Sequence, residues 1–274
     1  MSNNTTQLST VSASPMQLFN QKLTNDKTQE YLEKTLKNRS DCFTTNLISL
    51  VSSNKNLQSC SFDTLLFGAM KATTFNFPLD NNLGFAYLIP YGNEAQFQMG
   101  YKGYIQLAMR SGQYNTINVS DIRQGELVKR NLLTGKMEFT EVDDRDKKDI
   151  IGYVAYFELY NGFNKCLYMT VDELNAYGKK YSKTYNSNSS RWKVDFDAMA
   201  RKTVLKRLLR NFGLLSVEMQ EAIHADQAVY RTKEMQPNYV DSKTIIDDVQ
   251  AQVVEEQAQQ VISIDDKQTV ETPF

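Results

Sequence analysis

Residues 199 to 212 read MARKTVLKRLLRNF, a run without Gly or Pro whose apolar and basic residues separate cleanly on an α-helix. At about 100° per residue, Lys202, Lys206 and Arg210 stack at i, i+4 and i+8 along one edge, with Arg207 beside them. Val204, Leu205, Leu208, Leu209 and Phe212 fill the opposite side, which gives the helix a core face and a cationic face. Residues 191 to 210 hold seven basic side chains (Arg191, Lys193, Arg201, Lys202, Lys206, Arg207, Arg210) against Asp195 and Asp197, a net charge of +5. A fixed row of cations matches the repeating phosphates of a nucleic-acid backbone. The same row also suits a solvated face, because Lys and Arg are good helix formers. Arg201 departs from the pattern: the wheel sets it among the apolar residues. It either reaches the cationic surface by another path or pairs with a buried carboxylate.

A second segment repeats the design. In QMGYKGYIQLAMRSGQY, residues 98 to 114, Lys102, Gln106 and Arg110 recur at i, i+4 and i+8. Tyr101, Ile105, Ala108 and Met109 take the other side, with Tyr104 and Leu107 at its margins. Ala95 to Met99 reads as a strand with Gln96 and Gln98 on one face and Phe97 and Met99 on the other. The strand feeds Gly100, and Gly103 punctuates the helix, so backbone and aromatic groups can approach a bound chain closely. Two such stripes, rimmed by tyrosine and glutamine, predict a groove.

The polar loop GKKYSKTYNSNSSRW, residues 178 to 192, brings Tyr181, Tyr185 and Trp192, after Tyr177, among Lys179, Lys180, Lys183 and Arg191. Aromatics that stack on bases, with cations that neutralise phosphates, hold single strands without sequence preference. The competing expectation is a mobile surface loop with Trp192 packed in the core.

The formal charge of −1 averages two regions. Residues 241 to 274 contain eight acids and two lysines, a net of −6, which leaves +5 for residues 1 to 240. That asymmetry points to a nucleic-acid-binding body with an acidic tail that competes for its groove or recruits a partner. Cys42, Cys60 and Cys166 are scattered, odd in number and lack metal-ligand spacing, as expected of reduced residues in a cytoplasmic protein. No run is long and apolar enough to span a membrane, and the polar start MSNNTTQLST lacks the pattern of a secretion signal.

The order of elements defines the class. Residues 1 to 26, rich in Ser, Thr, Asn and Gln, predict a flexible segment. Helices are expected at about 27 to 38, 41 to 53 and 62 to 75, the third capped by Ser61 and ended by Pro78. Strands follow at 84 to 91 and 94 to 99 about Gly92 and Asn93. After the Lys102 helix come strands at 116 to 122, 126 to 131 and 137 to 142, then 152 to 159 and 165 to 170 around Asn161-Gly162. A helix opens near Val171 with Asp172 and Glu173 in its first turn, and a last helix spans about 216 to 231. Helices, a meander of strands, then helices again predict an α+β fold: a central antiparallel-rich sheet flanked by helices, with a core over 27 to 232 and a flexible acidic C-terminal tail over 233 to 274.

Bond-making chemistry finds little support. His224 is the chain's one histidine and reads as a surface residue of a helix. No G-x-x-x-x-G-K-[ST] loop is present to cradle ATP phosphates. Asp143, Asp144, Asp146 and Asp149 could bind Mg²⁺ as a nuclease would, or form a solvated loop interrupted by Arg145, Lys147 and Lys148. No catalytic residue, metal or cofactor is predicted.

In that order, GYKGYIQLAMRSGQY and MARKTVLKRLLRNFG resemble the RecT family of phage and prophage recombinases, over roughly residues 30 to 225. The resemblance implies an ATP-independent single-strand DNA annealing protein for homologous recombination, which forms helical or ring-shaped homo-oligomers on DNA. It implies a fold related to the lambda Red beta protein, single-stranded DNA and the annealed duplex as ligands, and a partner 5′→3′ exonuclease, with host single-strand-binding protein as a further candidate. Motif position and charge geometry then nominate Gln96, Gln98, Lys102, Tyr104, Gln106, Arg110, Lys179, Lys180, Lys183, Arg191, Trp192, Lys193, Arg201, Lys202, Lys206, Arg207 and Arg210 as DNA-binding residues. A Mg²⁺-dependent nuclease and a structural oligomer of a phage are the competing classes.

Overall fold

The structure is a computed structural model and describes residues 13–240. The acidic stretch from 241 onward, and residues 1–12 of the N-terminal segment, lie outside the described residues. In chain order the elements are α1 (Pro15–Leu23), α2 (Asp26–Leu36), α3 (Ser40–Ser53), α4 (Lys55–Gln58), α5 (Phe62–Thr74), β1 (Ala86–Tyr91), β2 (Glu94–Met99), α6 (Tyr101–Arg110), β3 (Tyr114–Arg123), β4 (Leu127–Arg130), β5 (Met137–Phe139), β6 (Ile150–Leu159), β7 (Asn164–Thr170), α7 (Val171–Tyr181), α8 (Arg191–Val194), α9 (Phe196–Phe212), α10 (Val217–Ala225) and β8 (Ala228–Val229). Helices and antiparallel strands mix as an α+β fold. The strands are distributed over two three-stranded sheets, β1-β2-β8 and β3-β6-β7, and the hairpin β4-β5.

The chain divides into two compact units. The first takes residues up to Ile117, Glu158–Phe163 and Leu209–Asn238; the second takes Asn118–Phe157, Asn164–Leu208 and the residues from Tyr239. β3, β6 and α9 each contribute residues to both.

In the first unit, Ser61 caps α5 by accepting from the Thr64 amide. The Thr64 hydroxyl then accepts from the Ala95 amide at 3.0 Å, which ties α5 to β2. Gly68 lets α5 approach β1 as well: a Cβ there would lie 2.8 Å from the Leu88 side chain. Leu65, Ala69, Phe97 and Met99 are fully buried at this layer. β1 and β2 pair in register from Ala86↔Met99 to Tyr91↔Glu94, turning at Gly92.

Two elements of this unit depart from the polarity of the sequence. Residues 1 to 26 predict a flexible segment, yet Pro15–Leu23 is helical. Ser14 and Gln17 form a capping box, Pro15 opens the first turn, and Phe19 and Leu23 are buried. The final helix ends at Ala225 and does not reach residue 231. The Asp226 carboxylate leaves the helix to accept from the Met99 amide at 3.0 Å and the Tyr104 hydroxyl at 3.1 Å. Gln227 turns the chain at φ 71°, and Ala228–Val229 adds a strand to β2.

In the second unit β6 is the middle strand of its sheet, with Tyr153, Ala155 and Phe157 buried at period two. α7 starts on a capping box in which the Thr170 hydroxyl and the Glu173 carboxylate exchange bonds with each other's backbone amides. Leu174, Trp192, Ala200, Val204, Leu205 and Leu208 are buried.

Candidate nucleic-acid interface

α9 carries the densest basic sequence, and its burial narrows the cationic face. Ala200 and Lys202 through Leu205 are buried, as are Leu208 and Leu209, while Lys206 is half-buried and Arg207 and Arg210 are exposed. Lys202, expected on the exposed row, is only 6 % accessible. A Lys stem of four methylenes can be covered while the ammonium finds a polar partner, so a wheel built on charge alone sets the boundary too wide. Phe212, assigned to the core side, is 41 % exposed.

Arg201 resolves to the buried-carboxylate alternative. It donates to Asp121 Oδ1 at 2.9 Å, to Asp197 Oδ2 at 2.7 Å and to the Val119 carbonyl at 2.9 Å. Asp121 also receives Arg123 and Arg145, each at 3.1 Å. Burial pushes this carboxyl up, but the hydrogen bonds from Arg123 and from its own amide, the Arg145 charge and the Arg201 hydrogen bond outweigh that and hold it below the usual range. The same network reaches into the aspartate loop. Arg145 turns inward to Asp121 and Glu126, and Asp144 pairs with Lys147 at 3.0 Å. Among the described residues, no three His, Cys, Asp or Glu side chains group as a metal site would require.

α6 shows the same narrowing. Lys102 is exposed and Gln106 half-buried, but Arg110 donates to the Phe75 carbonyl at 2.7 Å and lies 4.9 Å from the Phe77 ring centroid. It closes the C-terminal end of α5 even though part of it meets solvent. The buried face centres on Gly103, Tyr104, Leu107 and Ala108, with Met109 58 % exposed, so the helix is rotated from the face its sequence predicts. On this face the Tyr104 hydroxyl points inward and donates to Asp226. Gly100 and Gly103 set the depth: a Cβ would lie 2.0 Å from the Gly84 carbonyl oxygen at the first and 2.2 Å from that of Phe85 at the second. Gln96 is buried and donates to the Gln227 carbonyl at 2.9 Å, and Gln98 donates to Gln96 at 2.7 Å.

In the loop after α7, Lys183 and Asn186–Ser189 are exposed, and the alternative of a core Trp192 is the one observed. Trp192 is 6 % exposed, with Tyr177, Tyr185 and Phe196 at centroid distances of 6.4, 6.2 and 5.9 Å. Gly178 makes room, since a Cβ there would lie 2.7 Å from the Tyr185 ring and 2.9 Å from Trp192. Lys183 donates to the Val240 carbonyl and Lys193 to that of Asn186, each at 2.8 Å. Lys179, Lys180 and Arg191 are exposed.

Within the second unit, Lys180, Tyr177 and Tyr181 of α7 and Arg207 of α9 share a cleft of about 430 Å³ with Arg130 of β4 and Tyr168 of β7. Tyr168 donates to the Ile151 carbonyl at 3.3 Å; burial and the nearby Glu173 charge raise its pKa against the pull of Arg130, so the phenol stays protonated. Arg130 and Tyr168 carry no signal in the sequence: they lie on different strands, far in the chain from Arg207.

Accessible cations thus stand on packed helices, with aromatic rings beside them in the cleft. Comparison with known proteins gives the family. The sequence pattern of the RecT family matches residues 41–247, and the chain belongs to that family, whose members are single-strand annealing proteins of recombination. It is 45% identical over 215 residues to "Uncharacterized protein YqaK" of Bacillus subtilis (strain 168), covering 78% of this chain and 74% of that one. It is 27% identical over 153 residues to "Protein RecT" of Escherichia coli (strain K12), covering 53% of this chain and 55% of that protein. Among the described residues, no helix is long and apolar enough to cross a membrane.

Proposed function

We propose that this chain binds single-stranded DNA and anneals complementary strands in homologous recombination, without ATP, as a homo-oligomer in the cytoplasm. A 5′→3′ exonuclease supplies the strand, and host single-strand-binding protein is a second candidate partner. One observation carries the reading. Lys102 and Arg210 are exposed on helices whose opposite sides pack into the core, so each charge stands on a rigid base and faces solvent. Cations that hold phosphates leave base edges free, and free base edges are what pairing with a second strand requires. Lys206 and Arg207 extend the same charge along α9, and Gln106 adds a polar group on α6.

The test is the salt dependence of binding to a short single strand, followed by annealing without nucleotide. Lys102→Gln and Arg210→Gln should each weaken binding and lower the salt slope by about one unit for each phosphate no longer neutralised. Unchanged affinity and slope in both, or annealing that requires ATP, would overturn the proposal.

A further inference from the structure

We infer that the cleft between α7, β4, β7 and the Arg207 turn of α9 is a binding site for a nucleoside phosphate. At about 430 Å³ its volume lies within the range of small-molecule sites, and it belongs wholly to the second unit. Three cations stand over three rings: Arg130 is 5.8 Å from the Tyr168 centroid, Arg207 5.7 Å from Tyr177 and Lys180 4.9 Å from Tyr181. The Tyr177 and Tyr181 centroids are 4.5 Å apart with their planes at 47°. The buried Trp192 backs Tyr177, in a seat that Gly178 keeps open.

This combination favours a ligand with an aromatic face and a dianionic group. A base stacks on the tyrosines, and its phosphate sits among the guanidinium and ammonium groups. With Glu173 at the cleft, the lining keeps a net charge of +2. Inorganic phosphate would use the cations and waste the rings; a nucleoside would do the reverse. The ligand is either a free nucleotide or one nucleotide of a bound strand, and only the second source rests on the proposed function.

The chain's single tryptophan is a built-in reporter, because Trp192 packs against the ring that lines the cleft. The full-length protein is titrated with dAMP, deoxyadenosine, inorganic phosphate and a short oligo-dA, with Trp192 emission as readout. Expected is saturable binding of dAMP, with deoxyadenosine and phosphate at least about tenfold weaker. Tyr177→Leu and Arg130→Gln should weaken it by about fivefold or more, and Tyr177→Phe, which keeps the ring and its packing, should not. If oligo-dA alone binds and loses affinity in the same two variants, the site belongs to the strand. Equal displacement of dAMP by inorganic phosphate, or undiminished binding of both dAMP and oligo-dA in Tyr177→Leu and Arg130→Gln, overturns the inference. Oligo-dA binding that falls in Lys102→Gln and Arg210→Gln but not in Tyr177→Leu or Arg130→Gln overturns the cleft and leaves the proposed function standing. Binding of dAMP without oligo-dA does the opposite.

Discussion

Arg201 donates to Asp121 at 2.9 Å from within α9, and the same carboxylate holds Arg123 and Arg145. Removing one partner of such a cluster strands the others. Asp121→Asn should lower stability at neutral pH by about 3 kcal/mol, read as a fall in the urea midpoint. The folded carboxyl titrates below its ordinary value of 3.8, so its contribution is complete above that pH and fades as pH falls through the lower, folded value. The gap between wild type and variant should therefore narrow mainly below pH 3.8. A gap that narrows already between neutral pH and about pH 5 would contradict the assignment.

Gly100 is a steric prediction. A methyl group 2.0 Å from the Gly84 carbonyl oxygen cannot be accommodated without moving backbone, so Gly100→Ala should destabilise by about 2 kcal/mol or more. Gly112→Ala makes the control: nothing lies within 4 Å of its Cβ, and its cost is confined to a φ of 67°. Thermal melts of both variants would separate the two causes.

The three cysteines should alkylate in a fixed order. Cys42 is exposed and reacts first. Burial, and then the Glu94 charge, push Cys60 up to about 11, so at pH 8 its thiolate is scarce and its access poor. Burial also raises Cys166, which is half-buried. Mass spectrometry after timed iodoacetamide treatment should show Cys60 labelled last.

The acidic stretch should be removable, but at a particular place. Asn238 pairs with Val229 and the Val240 carbonyl accepts from Lys183, so a cut at Asn238 would remove one of these contacts and leave the other at a chain end. Truncation after Val240 removes a net charge of −6. DNA binding by the purified protein should hold or strengthen, and a loss of affinity would show that the stretch takes part in binding.

Local signals in the sequence were legible because their physics is local. The Ser61 cap, the turn at Gly92 and the acidic first turn of α7 at Asp172 and Glu173 each depend on residues within four positions. Even α1 announced itself by Ser14, Pro15 and Gln17, although polar composition masked the signal. What the sequence could not give was long-range. Lys202 is covered by neighbours that a helical wheel does not contain, and Arg110 is committed to a carbonyl 35 residues earlier. Arg130 and Tyr168 complete the tyrosine cleft from separate strands. β8 has two residues, too few for any periodicity to register.

Asp226 and β8 also bear on the order in which the molecule can be finished. Gln96 pairs with Val229, and the Met99 amide waits for a carboxylate 127 residues downstream. During synthesis the helices before residue 75 emerge early, yet one edge of β2 stays open until almost the whole described chain has left the ribosome. Closing so long a loop is slow, and an open strand edge invites pairing with other chains. A nascent chain stalled before Asp226 should thus be aggregation-prone, and its rescue should follow within the next few residues added.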